Sequence, residues 1–131
     1  MRNLDSVREI LYRWGVWSRS RTGVEWYSQS AGMNNVLPVE PDYRPTLCDD
    51  DGLIIDQIIA SMSQNGLPLM ESEVLLHFHY GLSFREIARR KRTNDVRVRI
   101  LINQAVFYVS GSLVWSGTKL ACDNELCEVH Q

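Results

Sequence analysis

Residues 72–113 read SEVLLHFHYGLSFREIARRKRTNDVRVRILINQAVFYVSGSL, and their punctuation predicts three consecutive helices with two tight breaks. Gly81 follows the apolar run Leu75, Leu76, Phe78 and Tyr80, which suits the position just past a helix end, where a positive φ costs glycine nothing. The first helix is therefore expected to stop near Tyr80. Ser83 and Glu86 then have the spacing of a capping box, which starts a second helix at Phe84. That helix is short. Ile87 and Ala88 form its apolar face, Arg85, Arg89 and Arg90 lie off it, and the polar Lys91, Arg92 and Thr93 end it. Thr93 or Asn94 can cap the third helix, where Val98, Leu101, Ile102, Ala105 and Val109 recur at helical spacing.

Helix, short turn, and a further helix with cations at its N-terminal end is the helix-turn-helix arrangement, whose later helix enters the DNA major groove. Charge points the same way. From Phe84 to Arg99 there are seven basic residues (Arg85, Arg89, Arg90, Lys91, Arg92, Arg97 and Arg99) against Glu86 and Asp95, a surplus of five. The whole chain has net charge −2, so the remainder carries −7. A bland alternative is a three-helix bundle with a solvated basic face. Against it stand the mutually consistent offsets of Gly81, Ser83–Glu86, Ile87–Ala88 and Arg97–Val98–Arg99.

With those residues in place, the segment resembles region 4 of bacterial sigma factors, GLSFREIA standing for that family's glycine, serine and Glu-Ile-Ala, and RVR for the start of its recognition helix. Two departures stand out: Arg92 occupies the turn where many such proteins carry glycine, and Val96, Ile100 and Leu101 make the third helix unusually apolar.

At 131 residues and 44% apolar, with pI about 5.9, the chain suits one compact domain and is too short for two ordinary cores. The expected class is all-α: a single helical domain over residues 1–115, with an N-terminal lobe at 1–70, an irregular loop at 23–48 and a helix-turn-helix lobe at 71–115. Residues 116–131 lack sustained periodicity and read as a flexible tail. No run of 18 apolar residues occurs, and MRNLDSVREILYRW is charged throughout. Neither a membrane span nor a signal peptide is expected, and the protein is expected in the cytoplasm.

Ser6 and Glu9 repeat the capping-box spacing, so a first helix should begin at Asp5 or Ser6, with Val7, Ile10, Leu11, Trp14 and Trp17 on one side. Gly23 to Pro45 is heavily punctuated by glycine, asparagine and proline, and Trp26, Tyr27, Leu37 and Tyr43 offer it packing of its own. Asp49, Asp50 and Asp51 precede the run from Leu53 to Met62. They are expected to cap that helix, where the macrodipole favours carboxylates. A divalent metal site that also uses Asp56 is the sharper alternative, and it would suit a metal-dependent phosphodiesterase. Asn65, Gly66 and Pro68 should end the helix.

Three cysteines, Cys48, Cys122 and Cys127, with no Cys-x-x-Cys pair, argue against a disulfide framework. A metal site of Cys122, Cys127 and His130 is the remaining alternative to plain thiols. His77 and His79 point to opposite sides of a helix and are expected to be packing or surface residues.

Taken in order, RWGVW at 13–17, GVEW at 23–26, CDDDGLIID at 48–56 and the sigma-like segment together resemble the lambdoid-phage late-gene antitermination protein Q family. The likeness runs from about residue 5 to 113. It implies a non-enzymatic factor, without cofactor or bound metal, that binds double-stranded DNA at a late promoter, engages paused RNA polymerase and its sigma factor, and lets polymerase read through terminators. Nascent RNA at the exit channel is a further implied contact. The DNA surface so implied is Arg85, Arg89, Asn94, Asp95, Arg97 and Arg99. The alternative is a sigma-like promoter regulator that acts only at initiation.

Overall fold

The computed structural model describes residues 2–22 and 45–123. The described residues form helices joined by short turns, with no strand among them: α1 (Leu4–Thr22), α2 (Asp49–Gln64), α3 (Pro68–Val74, continued by a π turn over Leu75–His79), α4 (Phe84–Arg90) and α5 (Asp95–Ser116). The architecture is all-α, as expected. The aromatic residues expected to pack the irregular loop lie outside the described residues.

The cap of α1 is Asn3 and not Asp5 or Ser6: its Oδ1 accepts the Ser6 N–H at 2.7 Å. Both Asn3 and Ser6 are good capping types, but Ser6 is buried in the first turn. The five apolar residues expected on one side of α1 are all buried. They meet α3 so closely that a Cβ at Gly15 would lie 1.9 Å from the Phe78 carbonyl oxygen. Only glycine permits this crossing.

At the crossing α3 widens into its π turn. The Tyr80 N–H donates to the Leu75 carbonyl at 3.0 Å, and Gly81, at φ 79°, turns the chain away. Both histidines of the turn face α1. His77 bonds the Tyr12 hydroxyl through Nε2 and the Leu82 carbonyl through Nδ1, each at 2.7 Å. The His79 Nδ1 bonds the Ser18 hydroxyl at 2.6 Å. Burial depresses both pKa values, that of His79 to about 4 with a smaller push from Arg19. Each imidazole is thus a neutral packing group, tied to a different partner.

Ile55, Ile59 and Met62 bring α2 into the core, and the turn at Gly66 hands over to Pro68, the first residue of α3. The three aspartates at the start of α2 do not cap it; Cys48 holds the cap position, with no side-chain bond. Asp49 accepts the Trp17 indole N–H at 2.9 Å. Asp51 is buried, and its two oxygens accept the backbone N–H groups of Ala121 and Cys122 at 3.0 and 3.2 Å.

That last contact packs residues 118–123 back against the bundle. α5 runs to Ser116 and stops at Gly117, φ 66°. The chain then folds back, buries Leu120 and closes an ion pair between Arg2 and Asp123 at 2.7 Å. Cys122 sits beside these carboxylates, and burial, reinforced by Asp51 and Asp123, pushes its thiol up to about 12. The thiol is thus held in its protonated form, which does not suit a nucleophile.

Asp51→Asn should therefore cost about 2 kcal/mol, because an amide N–H₂ would face one of two backbone donors. Asp50→Asn, at an exposed position, should cost less than about 0.5 kcal/mol. Urea unfolding of the two variants tests this ordering; equal midpoints would remove the tether.

α5 lies against both halves of the chain. Val98, Ile102, Ala105, Val106, Val109 and Leu113 enter one core shared with α1, α2 and α3. Arg8 of α1 bonds Asn103 at 2.8 Å, and Ser61 of α2 bonds the Tyr108 hydroxyl at 2.7 Å. By length and composition α5 is apolar enough to cross a membrane, but those six residues are buried in the bundle.

Candidate nucleic-acid interface

α4 starts where the sequence indicates. The Ser83 hydroxyl accepts the Glu86 N–H at 3.1 Å. The reciprocal half of the capping box is absent: the Glu86 carboxylate turns to Arg89, at 2.6 and 2.7 Å, and to Arg90, at 3.1 Å. These bonds, that from Arg89 first, hold the Glu86 carboxyl below its ordinary range. Ile87 and Ala88, both buried, pin α4 down.

The turn from α4 to α5 closes around Arg92, whose φ of 56° makes it the one left-handed non-glycine among the described residues. Thr93 N–H reaches back to the Ala88 carbonyl at 2.9 Å, and Arg92 N–H to the Arg89 carbonyl at 3.3 Å. This is the Schellman pattern, in which glycine is the usual left-handed residue. Arg92 thus takes the backbone conformation that glycine takes in many related turns, and its long cationic side chain is exposed there.

Asn94 caps α5, its Oδ1 accepting the Arg97 N–H at 2.9 Å. Val98 is fully buried and fixes the helix rotation, so Arg97 and Arg99 emerge on either side of it, both exposed. The Arg99 guanidinium lies 5.7 Å from the centroid of the Phe84 ring, beside the exposed Arg85 at the start of α4. Arg97 instead borders a shallow cavity of about 250 Å³, together with Glu73, Lys91 and Arg92.

Glu73 is the residue that sequence reasoning missed. It is 2% exposed, and one of its oxygens accepts from the Lys91 ammonium at 3.0 Å while the other has no partner among the described residues. A signal existed: Met70, Glu73, Val74, His77 and Phe78 share one helical face, so a carboxylate falls on the buried side of α3. Lys91 also donates to the Ser72 hydroxyl at 2.6 Å.

The seven cations counted in the sequence are therefore not equivalent. Arg89 and Arg90 are bonded to Glu86, and Lys91 to Glu73. Arg85, Arg92, Arg97 and Arg99 form no ion pair with any described residue. Arg92, Arg97 and Arg99 lie about the start of α5, where the unsatisfied N–H groups add their own positive potential, and Arg85 follows Phe84, whose ring Arg99 approaches. Chemically, this surface suits a polyanion. Asp95, half-buried in the same turn, supplies the opposing charge. No comparable cluster forms on the acidic side: the described residues hold no group of three or more His, Cys, Asp or Glu placed to share a metal ion. Cys127 and His130 lie outside them.

The family model for phage antitermination protein Q matches residues 1–121, which take in all five helices. The chain belongs to the phage antitermination protein Q family. It is 33% identical over 121 residues to a probable antitermination protein Q of Acyrthosiphon pisum secondary endosymbiont phage 1, which covers 92% of this chain and 82% of that relative. It is 29% identical over 119 residues to antitermination protein Q of Escherichia phage 933W, covering 89% and 81% of the two chains. A prophage antitermination protein Q homolog of Escherichia coli strain K12 is 26% identical, with 89% and 92% covered. No solved structure matches the chain. Membership of the Q family makes this a phage regulatory factor that acts on transcription, in antitermination.

Proposed function

We propose that the chain binds double-stranded DNA at a promoter-proximal element through α4 and the first turn of α5, and that α3 to α5 act as a sigma region 4-like helix-turn-helix. From there it engages the paused RNA polymerase and its sigma factor, travels with polymerase, and suppresses termination near the RNA exit path. The observation that carries the DNA step is the set of four exposed arginines without an ion partner among the described residues, Arg85 on α4 and Arg92, Arg97 and Arg99 about the capped start of α5. Polymerase engagement rests on the Q family's role in antitermination. An acidic remainder supports it, because a surface outside α4 and α5 that repels nucleic acid leaves one side for DNA and others for protein.

A single-round transcription assay with a terminator downstream of a candidate late promoter tests the whole reading. The expected result is a larger full-length fraction past the terminator at equal initiation. A change in initiation alone would identify a promoter regulator instead. Charge reversals Glu40→Lys and Asp42→Lys, outside the described residues, are expected to spare DNA binding and weaken read-through.

A further inference from the structure

α5 has a second face that nothing described here covers. Opposite the buried row from Val98 to Leu113 lie Val96, Ile100, Phe107, Val114 and Trp115, all large, apolar and exposed, Trp115 at 93% and Phe107 at 60%. The N-terminal part of this face adjoins the arginines; the C-terminal part does not. Between Arg99 and Lys119 the sequence carries no charge at all, so this part offers a nucleic acid or an ionic protein surface nothing to pair with.

Gly111 lies in the middle of the charge-free part. Glycine is the poorest helix former after proline, and here its own chain gives no reason for it. A Cβ at Gly111 would meet nothing within 4 Å, and its backbone is ordinary helix. A glycine on an exposed helix face allows another backbone to approach closely. The residues around it are arranged symmetrically: Phe107 and Trp115 stand four positions before and after, Tyr108 and Val114 three positions before and after.

We propose that α5 pairs with α5 of a second copy of this chain, antiparallel, across a twofold axis at Gly111. In an isologous contact each residue at 111 minus n meets its partner at 111 plus n. Phe107 then packs on the Trp115 of the other copy, twice, and Tyr108 flanks Val114, while the paired glycines let the helices close. A different partner would have no need of this symmetry. Phe107, Val114 and Trp115 offer roughly 450 Å² per copy, about half of the ~800 Å² that each partner gives a standard interface. That extent places the contact among weak, reversible associations.

Sedimentation velocity of the full chain, from about 1 to about 100 µM, tests the proposal. The expected result is a monomer–dimer equilibrium. Gly111→Arg should be monomeric throughout with unchanged helicity, since the monomer has room for the side chain, and Trp115→Ala should dissociate at least about tenfold more readily. Gly111→Cys, in a Cys48→Ser, Cys127→Ser background oxidised with diamide, should give a covalent dimer, and Gln104→Cys should not. A parent chain that stays monomeric across the range, or a Gly111→Arg variant that still dimerises, would overturn the proposal.

Discussion

Gly15→Ala is expected to leave the chain mostly unfolded, with a loss of about 3 to 5 kcal/mol. The added Cβ would sit 1.9 Å from the Phe78 carbonyl oxygen and 2.9 Å from its carbon. Neither atom belongs to a side chain that can swing away. The same carbonyl accepts from the Arg19 guanidinium at 3.1 Å, so the π turn is held against α1 at the clash. Relief requires moving α1 off α3, which would break the Tyr12–His77 and Ser18–His79 bonds and open the apolar face from Val7 to Trp17. Small domains have only about 5 to 15 kcal/mol to lose. Gly111→Ala is the control. It too places alanine inside a helix, but in open space, and should stabilise the monomer by about 0.5 to 1 kcal/mol. Urea titrations followed by circular dichroism should thus move in opposite directions. A Gly15→Ala midpoint within about 1 kcal/mol of the parent would mean that the helices cross differently.

The contrast between these glycines shows what could be read in the sequence. Helix boundaries at Phe84 and Asp95 were legible because their determinants are local: Ser83 and Asn94 bond N–H groups three residues away. Turn chemistry at Gly66 and Gly81 was legible for the same reason. The purpose of Gly15 was not, because its partner lies 63 positions further on, at a π turn that no periodicity announces. The aspartates before α2 failed in the same way. A cap was the natural local reading, but Asp51 serves a backbone 70 residues later, and that distant tether also fixes residues 118–123. The Ser6–Glu9 spacing misled at the start of α1, because the bundle buries Ser6 and Asn3 takes the cap.

Charge counting had a related weakness. A surplus of five over Phe84–Arg99 treats all cations alike, whereas three of the seven are engaged by Glu86 and Glu73. One of these carboxylates lies inside the counted window and could have been matched to its partners at i+3 and i+4. The other lies on α3, 18 positions before Lys91. Subtracting both leaves a smaller and better-placed set, gathered at the start of α5 around the residue that fixes its rotation.

From that geometry, Arg97→Ala and Arg99→Ala should each weaken specific DNA binding by about 1 to 3 kcal/mol, and the double variant by up to about 6. The two arginines flank buried Val98, so neither contributes to the core. Thermal stability should therefore stay within about 0.5 kcal/mol of the parent, and any lost affinity belongs to the interface. Arg92→Gly adds a discriminating arm: it relieves the left-handed strain, so the turn should be no less stable, while, on the proposed DNA surface, the slope of log affinity against log salt should fall by about one. Arg89→Ala should do less than either, because in the free protein Glu86 already holds that guanidinium. Titration of a labelled late-promoter duplex at several salt concentrations measures all five variants. If Arg97→Ala and Arg99→Ala bind as the parent does at matched salt, α5 is not the reading helix, and the exposed arginines must serve some other anionic surface.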